Sequence, residues 1–85
     1  MRFLTKETWK APPTAEVKAL IPAEQARVKE LTEQGMIEAL YVSADQSGAW
    51  MVWNVDSQAA LEESHNSLPL HPHMNSEITV LSEDM

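Results

Sequence analysis

Residues 2–9 mix apolar and polar positions and read as a first β-strand, which sets Phe3, Thr5, Glu7 and Trp9 on one face and Arg2, Leu4, Lys6 and Thr8 on the other. Pro12 and Pro13 end it, because proline has no N–H to give to a strand ladder. Thr14 then reads as a helix N-cap, with Glu16 placed to favour the positive end of the helix dipole. Val17, Leu20, Ile21, Glu24, Val28 and Leu31 follow at helical spacing, and Gly35 terminates the stripe. Pro22 interrupts the stripe. The reading is one bent helix, with the alternative of a short turn ending at Ile21 before a main helix that carries Pro22 in its first turn.

Residues 36–43 read as a second strand and residues 49–55 as a third, joined through the turn cluster Asp45-Gln46-Ser47-Gly48 into a hairpin. Asp56-Ser57 offers a second N-cap for a helix over residues 58–67, whose inner face is Ala60, Leu61, Ser64 and Leu68. A loop stiffened by Pro69 and Pro72 leads to a fourth strand over residues 74–81, and residues 82–85 read as a frayed tail. The order β-α-β-β-α-β is the split βαβ arrangement of α+β ferredoxin-like folds: a four-stranded antiparallel sheet with both helices on one face.

The third strand is not compatible with a sheet that leaves its other face wet. Ala49-Trp50-Met51-Val52-Trp53 does not alternate, so both its faces are apolar. Soluble monomers seldom expose a patch of that kind. The expectation is that the open face packs on the sheet of a second copy across a two-fold axis, forming a homodimer. The alternative is that the tail or the proline-rich loop folds back over it.

Composition narrows the functional classes. The chain has 85 residues, enough for a single domain over residues 1–85, and 44% of them are hydrophobic. A formal net charge of −7 and a pI near 4.7 oppose binding to nucleic acid or to an anionic membrane surface. With no cysteine there is no disulfide scaffold, thiol nucleophile or thiolate metal site. The longest apolar run, from Ala49 to Trp53, is five residues, and the first seven residues are already charged. A cytoplasmic location is the default expectation.

Glu24 is the most informative candidate for chemistry. A carboxylate set among Val17, Leu20, Ile21, Val28 and Leu31 must pair, neutralise or face a cavity. Desolvation of such a group is how a carboxyl becomes an acid or base near neutral pH. The plain structural alternative is a Glu24 turned outward, or paired with Lys6 or an arginine. Lys6, Glu38, Asn54 and Glu77 stand on strands where parity alone does not say which face the helices cover. His65, His71 and His73 lack any metal-ligand spacing, so no metal is expected. His71 or His73 at the mouth of a pocket suits proton transfer, against the alternative of loop histidines capping the core. Ser47-Gly48 is no nucleophile elbow, and no glycine-rich phosphate loop is present. Trp50 and Trp53 serve as core filler first and as a ligand wall second.

The element order, together with Leu68-Pro69-Leu70-His71-Pro72-His73-Met74, resembles the muconolactone isomerase family, in which a similar Leu-Pro-Leu-aromatic-Pro-aromatic-Met segment precedes the last strand. Lys6, Leu20, Glu24, Leu31, Gly35, Ser57, Ala60 and Leu61 extend the resemblance over most of residues 1–81. It implies a dimeric α+β barrel, sometimes assembled into larger rings. It also implies an activity that moves a double bond within a small unsaturated lactone acid, without metal or organic cofactor. Carried across, Glu24 matches the family's helix carboxylate and Lys6 its strand cation. The chain departs from the family at His71 and His73, which replace aromatics, and at His65, which stands where an apolar residue is expected.

The leading expectation is therefore an isomerase acting on an unsaturated or enolisable lactone. In it Glu24 moves the proton, Lys6 attracts the substrate carboxylate or steadies the enolate, and His73 donates the second proton. Trp50, Trp53, Tyr41, Glu38 and His71 are the expected substrate-binding residues. The alternatives are a cofactor-free monooxygenase or cyclase acting on an aromatic stacked between Trp50 and Trp53, and a dimerising binding module without catalysis.

Overall fold

A computed structural model describes residues 1–82 and places β1 (Arg2–Trp9) at the centre of one antiparallel sheet. β3 (Gly48–Asn54) pairs with one edge of β1 and β4 (Met74–Leu81) with the other, while β2 (Ile37–Val42) lies outside β3. The spatial order β2-β3-β1-β4 is that of the ferredoxin-like α+β fold. Phe3 stands opposite Trp53 and Val80, Thr5 opposite Met51 and Ile78, and Glu7 opposite Ala49 and Ser76. These residues share the face on which the helices lie. The core joins Phe3, Ile37, Met51 and Trp53 of the sheet to Leu31 of α2 (Ile21–Glu33), Leu61 of α3 (Gln58–Asn66), Val55 and Leu68.

The stripe from Thr14 to Gly35 is two helices and not one bent helix. Thr14 caps the four-residue α1 (Ala15–Lys18) by accepting the Val17 N–H, and α2 then starts afresh with Pro22 in its first turn. Proline cannot donate to the carbonyl four residues back, so the chain re-initiates where that missing bond costs nothing. Gly35, at φ 79°, lets the Gly35 and Met36 amides turn back onto Thr32 and Leu31. Ser57 caps α3 through the Ala60 N–H, as its sequence position suggests. Helix α3 ends at Asn66, and a single 3-10 turn (His71–His73) forms inside the proline-rich loop. In the hairpin, Asp45 accepts the Ser47 amide and the hydroxyls of Ser43 and Ser47, which pulls its carboxyl down to about 2. At Gly48 a Cβ would stand 2.6 Å from the Glu7 carbonyl, so only glycine lets β3 come this close to β1.

The opposite sheet face carries no helix. Leu4, Lys6, Trp50, Val52 and Tyr41 occupy it, with Lys6 paired across to Trp50 and Glu77, and Tyr41 to Trp50. Tyr41 is 64% exposed. Leu4, Trp50 and Val52 are partly buried here, and residues 83–85 of the expected tail lie outside the described residues.

Candidate active site

Two ionisable groups are buried under the helices. Glu7 and His65 are each only 4% exposed, and they meet at 2.5 Å between Glu7 Oε1 and His65 Nε2. Ser76, the β4 neighbour of Glu7, donates its hydroxyl to Glu7 Oε2 and lies 3.3 Å from His65 Nε2. Burial alone would push the Glu7 carboxyl up. The hydrogen bonds from His65 and Ser76, the charge of His65 and the nearby Thr5 hydroxyl outweigh it and hold the carboxyl below its usual range. Trp53 closes the floor: its indole N–H donates to Thr5 Oγ1 at 2.9 Å, and its ring meets the His65 ring edge-on at 6.0 Å.

Glu24 lies in the first turn of α2, half-buried, and accepts the Leu70 N–H at 3.0 Å. Burial raises its carboxyl above the usual range. The Leu70 hydrogen bond opposes that rise, the negative charge of Glu7 adds to it, and the positive charge of His65 opposes it. Glu7 and Glu24 are thus close enough to feel one another and are driven in opposite directions. Such a split is the kind of environment in which one carboxylate can stay ionised while a neighbour can exchange its proton.

His71 follows Leu70 and sets its ring edge-on against His65, with centroids 5.0 Å apart. Its Nδ1 is buried and without a hydrogen-bond partner. Burial, with the charges of His65 and Lys10, keeps His71 below its ordinary range despite the opposing pull of Glu7. Beyond it a cleft of about 230 Å³ opens between the β1–α1 connection and the 3-10 turn, lined among others by Trp9, Lys10, Pro13, Val17 and His73. Trp9 lies two residues past Glu7 on the same strand face, so the cleft follows the buried pair along β1. The Lys10 amide donates to the His73 carbonyl and ties the two rims together.

Of the residues expected to act together, Glu24, His71 and Trp53 gather on the helix side, with His73 at the cleft. Lys6, Trp50 and Tyr41 lie on the far face of the sheet, separated from Glu24 by the sheet itself. Lys6 thus does not join Glu24 within one chain, because β1 alternation sends it opposite to Glu7. Glu38 does not turn inward. A bulge between Ile37 and Ala39 breaks the parity of β2, and Glu38 is exposed and holds Arg2 at 2.7 Å. Trp50 and Trp53 do not form one stacking wall either: the first is on the helix-free face and the second is sealed in the core. Among the described residues no three His, Asp or Glu side chains converge as a metal site requires.

Two residues outside the expected set dominate the site, and both left a trace in the sequence. Alternation aligns Glu7 with Phe3 and Thr5, a charge on a core face. His65 stands four residues after Leu61 and three before Leu68, on the buried stripe of α3. Ser76 left none, since its role comes from standing beside Glu7 on the neighbouring strand.

No curated protein sequence matches this chain. Among solved structures, a muconolactone isomerase crystal structure superposes with a TM-score of 0.85 at 29% identity, covering 98% of this chain and 90% of that one. A 5-chloro-2-hydroxyhydroquinone dehydrochlorinase from Burkholderia phenoliruptrix AC1100, in complex with 2,5-dihydroxybenzoquinone, superposes with a TM-score of 0.70 at 12% identity, covering 96% and 94%. An antibiotic biosynthesis monooxygenase follows with a TM-score of 0.62 at 15% identity, covering 96% and 97%; at such identities these two share the fold alone. The family model described as muconolactone delta-isomerase matches residues 1–84, spanning the strand that carries Glu7, the helix that carries Glu24 and the residues that line the cleft, so this chain belongs to the muconolactone delta-isomerase family.

Proposed function

We propose that this chain is a cofactor-independent isomerase that shifts a double bond, by moving a proton, within a small unsaturated lactone acid such as muconolactone. Membership of the family supports an isomerase-like activity. The observation that carries the finer reading is Glu24: a half-buried carboxyl, raised by burial and steadied by the N–H of Leu70, two residues before Pro72 in the lining of a cleft of small-acid size. Glu24 takes the proton from the acidic carbon, the C–H electron pair flows into the conjugated system, and the charge collects on the lactone carbonyl oxygen. Return of a proton two carbons away leaves the double bond in its new position. Lys10, at the rim of the cleft, attracts the substrate carboxylate, and His73 borders the bound acid.

Proton NMR of muconolactone incubated with the protein tests this reading, with loss of the vinyl pattern of the substrate as the expected result and an unchanged spectrum as the contrary one. Lys10→Met is expected to raise KM about twofold to fivefold with kcat within a factor of two, the size of one solvent-exposed charge contact. Lys6→Met is the control expected to leave the KM for substrate unchanged.

The helix-free sheet face carries the second part of the reading, a homodimer of single-domain chains packed sheet on sheet. Leu4, Trp50, Val52 and Tyr41 are the apolar surface that such packing removes from water. Sedimentation at micromolar concentration is expected to show a dimer. Trp50→Asp is expected to weaken it at least about 100-fold, since a charge replaces a large apolar contact. A Trp50→Asp variant that sediments as the unaltered protein does would remove this interface.

A further inference from the structure

The buried pair of Glu7 and His65 has no part in the proton abstraction by Glu24, yet it adjoins that residue. It does not form a serine-nucleophile triad. In a triad the imidazole stands between hydroxyl and carboxylate and uses a different ring nitrogen for each. Here Glu7 Oε1 and Ser76 Oγ both approach Nε2, and the Ser76 hydroxyl gives its proton to Glu7 and not to the ring. The arrangement instead fixes a carboxylate from two sides and leaves His65 Nδ1 as the ring nitrogen that neither Glu7 nor Ser76 approaches.

Its location ties the pair to the site. Glu24 feels the charges of both Glu7 and His65. His71 packs edge-on against His65 and continues into the cleft through Pro72 and His73. Ser76 is exposed, so the pair lies one side chain away from solvent. A buried ion pair adds little to stability when compared with well-packed apolar residues of the same volume.

Resting on the isomerase reading, we propose that His65, held by Glu7 and Ser76, is the second proton-transfer group of this site, delivering a proton to the substrate carbon opposite in role to the one Glu24 deprotonates. The step balances. Glu24 gains the proton of the broken C–H bond, and the electron pair forms the dienolate. The His65 Nδ1–H bond breaks as the new C–H bond forms, leaving the ring neutral beside Glu7. Transfer of the proton from Glu24 to Nδ1 through water restores both groups, with no oxidant or reductant involved. Glu7 and Ser76 are positioning residues.

The test separates abstraction from delivery. Muconolactone deuterated at the carbon that loses its proton is incubated in ordinary water, and both deuterium wash-out from recovered substrate and product formation are followed. With the unaltered protein, product is expected to carry solvent protium at its new C–H from the first turnover; majority carry-over of deuterium overturns the proposal, because one group then transports the proton. His65→Gln, which can still donate to Glu7, is expected to keep wash-out within threefold while isomerisation falls at least about 100-fold. Isomerisation within threefold in that variant, or the same split appearing in His73→Gln instead, overturns the proposal. If His65→Gln fails to fold, the labelling result with the unaltered protein decides. Glu24→Gln should lose both wash-out and isomerisation; if it retains both, the isomerase reading of Glu24 fails whatever His65 does.

Discussion

Glu24→Gln is expected to lower kcat on muconolactone by about 10³-fold or more, within the usual range for removal of a general base, and at the same time to stabilise the protein. Glutamine keeps an oxygen to accept the Leu70 N–H, so the local structure survives. What disappears is a carboxylate that is half-buried and repelled by Glu7. A carboxyl raised in the folded state favours folding below its ordinary value of 4.5, and that contribution is lost as pH rises through the raised value. Glu24→Gln and the parent protein are therefore expected to melt alike in acid and to diverge as pH rises, with the variant ahead. The partial exposure of Glu24 keeps the gain to about 1 kcal/mol or less at neutral pH, a few degrees in Tm. Thermal melts from pH 4 to 8 beside turnover assays provide the check. Undiminished turnover, or a variant less stable at pH 7, contradicts the assignment.

Removing one partner of the buried pair is expected to have the largest effect on stability. Glu7→Ala leaves the buried His65 Nε2 without its carboxylate partner, at a cost of about 3–5 kcal/mol. Replacing both partners with apolar residues, Glu7→Met with His65→Leu, removes the unpaired groups as well, so the double variant is expected to recover most of that loss. Urea denaturation of the parent, the two single variants and the double variant reads this coupling, expected at about 2 kcal/mol or more. The pH dependence has the opposite sign to that of Glu24. Glu7 is lowered in the folded state, so its contribution is complete above 4.5 and is lost as pH falls through its depressed value. The parent is expected to lose stability in acid more steeply than the double variant, and equal acid sensitivity would show that the pair has no special hold on the fold.

Much of this site was legible in the one-dimensional pattern. Glu24 stood out because a carboxylate on an aliphatic stripe has few inexpensive options, and the structure finds it half-buried with a single backbone partner. Lys6 was misplaced relative to Glu24 because a period of two separates two strand faces without saying which one the helices cover. Glu38 was misplaced because the bulge after Ile37 shifts parity by one residue, and no turn residue announces it. Pro22 signalled a discontinuity correctly, but its resolution into two helices depended on Thr14 and Leu20 providing separate starts.

The order of strands and helices, the caps at Thr14 and Ser57, the glycine at the end of α2 and the two-sided apolar character of β3 follow from neighbours within a few residues, where periodicity and backbone preference act. The meeting of Glu7 with His65 and Ser76 joins positions 58 and 69 residues apart. Only strand register and the seating of α3 on the sheet bring them together, because burial and hydrogen bonding select partners by position in space. The same packing decides that the Glu7 carboxyl is held low while that of Glu24 is raised, so that two chemically identical side chains are driven apart by their surroundings.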